Sequence, residues 1–94
     1  LREAILSIAV NPMQSITKEL YPSIARQFSC NSAQVERSIR NAIQSAWAQR
    51  CESVWVQIFQ PDGSGNIPRP SNAVFISRLA DRVNLDQLQF SLTK

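Results

Sequence analysis

A chain of 94 residues, 44% of them hydrophobic, can close one modest core and no more. Ten Lys+Arg against seven Asp+Glu leave a net charge of +3, and the positive charge is local, because Arg26, Arg37, Arg40 and Arg50 share their stretch of chain with a single acid, Glu36. There is no histidine, no Cys-x-x-Cys pair, no working pair of carboxylates and no glycine-rich phosphate loop after a strand, which excludes a zinc centre and leaves nothing to catalyse with; no cofactor, metal or enzymatic activity is expected.

Leu1, Ala4, Ile5 and Ile8 recur on one helical face, and Asn11-Pro12 ends that helix, since the residue before a proline is pushed out of the helical region. Ser15 is a predicted N-cap for the next element, in which Ile16, Leu20, Ile24 and Phe28 form an i, i+4 stripe that belongs in the core. Pro22 falls inside this stripe. It predicts either a kink or, the favoured reading, a fresh helix with Pro22 in its first turn.

The polar run Ser29-Cys30-Asn31-Ser32 then makes a turn, with Ser32 as N-cap of a helix over residues 32–49. Val35, Ile39, Ala42, Ile43, Ala46 and Trp47 gather on its core face, with Ala33, Gln34, Arg37, Arg40, Asn41 and Gln44 on display. Val54, Trp55, Ile58 and Phe59 read as a short helix, although a strand would alternate equally well over so short a window. Residues 60–70, with Pro61, Asp62-Gly63, Gly65, Pro68 and Pro70, form a loop. Pro70-Ser71-Asn72 opens the last helix, whose stripe Phe75, Ile76, Leu79, Ala80 and Val83 ends near Asn84, leaving 85–94 as one more turn or a frayed end.

The fold class expected is therefore all-α: one small helical bundle of about five helices over residues 1–94, with an embedded helix-turn-helix. Cys30 and Cys51 read as two reduced, partly buried thiols of a cytoplasmic protein. No apolar run approaches the ~20 residues that span a bilayer, so no membrane partner is expected.

The helix-turn-helix rests on spacing. The first helix of such a pair needs a small residue where the second crosses it, and Ala25 fills that place between Ile24 and Phe28. Val35 follows ten positions later and Ile39 one turn further on. Ser29 occupies the turn position where glycine is usual. A second helix pinned by Val35 and Ile39 directs Gln34, Glu36, Arg37, Arg40 and Asn41 outward, where a major groove would lie. Their chemistry suits base edges: Arg pairs bidentately with guanine, Gln and Asn with adenine, and Glu accepts from the cytosine amino group.

The chain also resembles a known family. Ser15-Ile16-Thr17-Lys18, Leu20-Tyr21-Pro22-x-Ile24-Ala25, Val35-Glu36-Arg37-x-Ile39-Arg40-x-Ala42-Ile43 and Ala46-Trp47 are similar to the C-terminal effector domain of the stage-zero sporulation response regulator. Leu1-Arg2-Glu3-Ala4-Ile5 and Pro70-Ser71-Asn72-x-x-Phe75-Ile76 extend the similarity along nearly the whole chain. The resemblance implies an all-helical bacterial domain that binds tandem short boxes of double-stranded DNA as a head-to-tail pair, regulates transcription and contacts the sigma subunit of RNA polymerase. It implies Glu36, Arg37 and Arg40 as recognition-helix contacts, and a receiver domain on the N-terminal side from which this chain would be excised.

Three display positions depart from the family pattern. Gln34 stands where an arginine is usual, Asn41 where histidine is frequent and Ala33 where serine is common, so the preferred sequence is expected to shift from guanine toward adenine at Gln34. Residues 54–70 also differ, and a basic stretch before the last helix shrinks to Arg69. Phosphate contacts are expected from Lys18, Arg26, Arg50 and Arg69, and from Ser71 and Asn72 at a helix start, where free N–H groups and the dipole favour an anion. Simple capping by Ser71 and Asn72 is the competing reading. The competing function is a helix-turn-helix kept as a protein-interaction or dimerisation module.

Overall fold

The computed structural model describes residues 1–93, with side chains through residue 87. Among the described residues it contains five α-helices and no strand: α1 (Arg2–Val10), α2 (Tyr21–Gln27), α3 (Ser32–Ala48), α4 (Glu52–Ile58) and α5 (Asn72–Thr93), with a π-helical turn over Ile16–Leu20 leading into α2. The all-α bundle expected from the periodicity is the fold. No helix among the described residues is long and apolar enough to cross a membrane.

Helix α1 stops where proline demands it, its last bond running from the Asn11 N–H to the Ser7 carbonyl. Ser15 caps the next segment as expected, its hydroxyl accepting from the Lys18 N–H at 3.2 Å. As favoured above, Pro22 stands in the first turn of a new helix, α2, into which the π-helical turn runs directly. The N–H groups of Leu20 and Tyr21 reach back five residues, to the carbonyls of Ser15 and Ile16. This wider turn relieves the clash between the Pro22 ring and the Lys18 carbonyl that a continuous α-helix would impose, and Tyr21 keeps helical dihedrals of −60° and −46° although a proline follows it.

The extra residue in that turn changes which side chains face inward. Leu20 is fully buried, but Ile16 and Ile24 are only half-buried, and Phe28, expected in the core, is 59% exposed. Tyr21 and Ala25 take the inward positions on α2. The i, i+4 stripe assumed α-helical phase throughout, and the π-turn breaks it.

The turn between α2 and α3 is capped from both sides. The Cys30 N–H donates to the Ala25 carbonyl at 2.9 Å, and Ser29 sits at φ +56°, which together make a Schellman ending with serine in the left-handed position that glycine usually fills. A side chain there is strained by about 1 kcal/mol or more. Ser29→Gly is therefore expected to stabilise the domain by about 0.5–1 kcal/mol after glycine's added unfolded-state entropy is subtracted. For a domain of this size that raises Tm by about 2–8 °C in a thermal melt; an unchanged or lower Tm would refute the strain.

On the far side the N-cap is Asn31, one residue before the expected Ser32. The Gln34 N–H donates to Asn31 Oδ1 at 2.8 Å and the Asn31 N–H donates to Gln34 Oε1 at 2.9 Å, a complete capping box. Along α3, Val35, Ile39 and Ile43 are buried and Ala46 and Trp47 half-buried, while Ala42, expected on the core face, is exposed at its edge.

Segment 54–59 is helical up to Ile58, as α4, and supplies an aromatic cluster. Trp55 stacks on Phe59 with ring centroids 4.8 Å apart, meets Trp47 edge-on at 5.6 Å and lies 6.0 Å from Phe75 of α5. Trp55 is thus core. Residues 60–70 form the expected loop, knotted by Asp62, whose Oδ1 accepts from the Ser64 hydroxyl, the Ser64 N–H and the Asn66 N–H. The Ser64 hydroxyl bond, then the backbone bonds, hold the Asp62 carboxyl below the usual carboxylate range. Ile67 plugs this loop into the core.

Ser71 caps α5, accepting from the Val74 N–H at 3.3 Å. The helix does not end near Asn84. It continues to Thr93, because no proline or glycine follows Asn84 and its amide, instead of capping, donates to the Ala9 carbonyl at 3.0 Å and pins α5 along α1. Of the tail 85–94, residue 94 lies outside the described residues. Cys30 and Cys51 are free, as expected, but exposed and not partly buried: one follows the end of α2 and the other starts α4, both at the surface.

Candidate nucleic-acid interface

Ala25 is buried where α3 crosses α2, and Val35 and Ile39 are buried against it, so the helix-turn-helix contact falls where the spacing predicts. With that face fixed, a turn of about 100° per residue sets Arg37, Asn41 and Gln44 opposite Val35, Ile39 and Ile43, with Glu36 and Arg40 on one flank and Gln34 and Ser38 on the other. All seven are exposed. The helix is about 25 Å long at 1.5 Å per residue, and its first three turns carry the polar set that a groove about 12 Å wide would admit.

Glu36 and Arg40 form an i, i+4 ion pair at 3.3 Å, with side chains 50% and 57% exposed. Such a pair stabilises a helix by only about 0.2–0.5 kcal/mol, so Arg40 can exchange it for a nucleic-acid partner at little cost. The pair lies on one wall of an open cleft of about 500 Å³ whose other wall is the start of α5. There Arg40 and Glu36 are brought together with Arg69, Ser71 and Asn72. Thr17 and Gln44 also line it, and neither is among the site residues the sequence suggests. For Gln44 a signal existed in the sequence, its place one turn beyond Arg40 on the display face; for Thr17 there was none.

Two residues expected to touch phosphate at the α5 start are differently engaged. The Ser71 hydroxyl is the helix cap. The Asn72 side chain is half-buried and turned inward, its Nδ2 donating to the Tyr21 hydroxyl at 3.2 Å and to the Glu36 carbonyl at 3.1 Å. A carbonyl can only accept, which fixes the amide nitrogen on that side. The capping reading describes Ser71, and Asn72 is a tie between helices.

Gln34 lies apart from this cleft, beside an apolar one lined by Leu1, Phe28 and Cys30, with its amide oxygen held in the capping box. Reading adenine bidentately requires that oxygen as well as the amide nitrogen. Arg50 is also committed: its guanidinium lies over the Trp47 ring at 3.8 Å, donates from Nε to Glu52 at 2.8 Å and from Nη1 to the Trp47 carbonyl at 3.0 Å, closing the end of α3. Lys18 and Arg26 are exposed, on the π-turn and in the last turn of α2.

The Cys51 thiol is held below its ordinary pKa by the Ser53 hydroxyl and then by the Val54 and Ser53 N–H groups. Among the described residues no cluster of three or more His, Cys, Asp or Glu could hold a metal ion. What the arrangement offers is a projecting helix with two arginines and amides on its outer face. Compared with models of known protein families, residues 1–83 match the one described as "Sporulation initiation factor Spo0A C terminal".

Proposed function

Because the chain belongs to the sporulation initiation factor Spo0A C-terminal family, a family of DNA-binding regulatory domains, we propose that it reads a specific double-stranded DNA sequence by laying α3 in the major groove. Arg37, Arg40, Glu36 and Asn41 read base edges in this scheme, and Gln34 joins them only by giving up its cap. Lys18, Arg26, Arg69 and the N-terminal end of α5 at Ser71 hold phosphates, which set register while the bases set sequence. Arg50 reaches a phosphate only by leaving Trp47 and Glu52. The observation that carries the reading is the outward face of α3, where Arg37, Arg40 and Asn41 stand exposed on a helix whose opposite face is locked by Val35, Ile39 and Ile43.

The site of action is the bacterial cytoplasm, the binding unit is a head-to-tail pair on tandem boxes, and contact with the polymerase sigma subunit is the downstream step. The test is a fluorescence-anisotropy titration of a duplex carrying two tandem copies of the family's box, against a scrambled duplex of equal composition, across several salt concentrations. The expected result is tighter binding to the tandem box, two domains per duplex, and log affinity falling against log salt with a slope of about −0.9 per phosphate contacted. Equal weak binding to both duplexes, followed by a random-sequence selection that returns no motif, would overturn the reading in favour of a protein-interaction module.

A further inference from the structure

The contact that joins α3 to α2 is apolar, built from Ala25, Val35 and Ile39. Apolar contact is strong but non-directional, and by itself it leaves a helix free to roll and slide by small amounts. Base reading does not tolerate that freedom, since a paired Arg–guanine contact requires placement within about 0.5 Å and 10–20°. Something directional has to fix α3.

Among the described residues, one side-chain hydrogen bond reaches α3 from a distant part of the chain, and it comes from Asn72. Its amide nitrogen carries two protons and gives one to each helix of the motif: one to the Tyr21 hydroxyl on α2, the other to the Glu36 carbonyl on α3. Tyr21 is itself only 6% exposed, so the acceptor on α2 is fixed in the core. Asn72 is the first residue of α5, which Ser71 caps, Phe75 and Ile76 anchor in the core and Asn84 pins to α1, so the donor is fixed as well. The tie lands on the peptide joining Glu36 to Arg37, at the start of the display face.

We propose that Asn72 is a positioning residue that sets the roll of the recognition helix and thereby sequence discrimination, and that it is not a phosphate contact. The proposal rests on the sequence-reading function above. Loss of the tie leaves the arginines present and the phosphates held, but lets the outer face of α3 turn away from the bases.

The test compares the wild-type chain with Asn72→Ala and Tyr21→Phe. A duplex selected by the wild-type chain from a random pool and its scrambled counterpart are the probes, at a temperature where melts show each variant folded. Asn72→Ala is expected to lose about tenfold of the preference for the selected duplex, the lower end of one good base contact, with scrambled-duplex affinity and salt slope unchanged. Tyr21→Phe, which keeps the bond to Glu36, is expected to retain most of the preference.

Without DNA, the amide signals of residues 33–44 in a ¹⁵N–¹H spectrum are expected to move in Asn72→Ala and to stay near their wild-type positions in Tyr21→Phe. A uniform loss on both duplexes, with the salt slope unchanged because the amide carries no charge, would make Asn72 a phosphate contact and overturn the proposal. A lowered Tm with unchanged preference and unmoved α3 amides would overturn it too. If the wild-type chain selects no sequence, the DNA-reading function fails, and the α3 amide shifts still decide whether Asn72 holds the helix.

Discussion

Arg37→Ala and Arg40→Ala are each expected to weaken binding to the preferred duplex by about tenfold to a hundredfold, and the double variant to bind preferred and scrambled duplexes alike. Each side chain can supply one bidentate base contact worth about 1–3 kcal/mol of discrimination. Neither change threatens the fold, because both residues are exposed and lie off the core face of α3. The two are not equivalent. Arg40 must first release Glu36 at 3.3 Å, whereas Arg37 has no such ion pair among the described residues. Arg37→Ala should therefore be the costlier single change. Anisotropy on both duplexes measures the effect. If both single variants kept wild-type discrimination, α3 would not be the reading element.

Trp55→Ala is expected to lower the unfolding free energy by about 3–5 kcal/mol. That is a large part of the roughly 5–15 kcal/mol available to a domain. Trp55 is the one residue of α4 buried among those described, and it joins three rings, Trp47, Phe59 and Phe75, from different parts of the chain. Removing it leaves a cavity between α4 and α5 that the stiff aromatic neighbours cannot refill. Urea denaturation followed by circular dichroism gives the value, and hydrogen exchange should show the α4 amides losing protection first. A loss below about 1 kcal/mol would place the ring cluster outside the stabilising core.

Much of this architecture was legible because it is locally encoded. The Ser15 cap, the stop at Asn11-Pro12, the α3 face and the Ala25–Val35–Ile39 contact follow from periodicity and spacing within a few turns. The misplaced cap of α3 was legible too. In the run Ser29-Cys30-Asn31-Ser32 before Ala33, only Asn31 has a glutamine three residues on, which is the signature of the box it forms.

Other features were not local. The π-turn is a compromise between proline sterics and the burial of Leu20 and Tyr21, and helical periodicity presupposes the phase that it alters. The partners of Asn72 lie 51 and 36 positions away, so nothing near Asn72 in the sequence distinguishes a tie from a cap. The charge of Arg50 is legible in the sequence, but its place over the Trp47 ring is not.

The π-turn gives the chain a phase as well as a shape. Between Ser15 and Pro22, the identity of an exposed residue such as Thr17 or Glu19 matters little to packing, but the number of residues matters greatly. Each one added or removed rotates everything downstream by about 100°. A single deletion that kept the wide turn would rotate Ala25 away from α3, whereas one that closed the turn to ordinary α pitch would leave Tyr21 and Ala25 in place, because the π-turn holds one extra residue. Divergence in this segment is therefore constrained much as reading frames are: substitution is free at its exposed positions, and a change of length is tolerated only when the pitch of the turn changes with it.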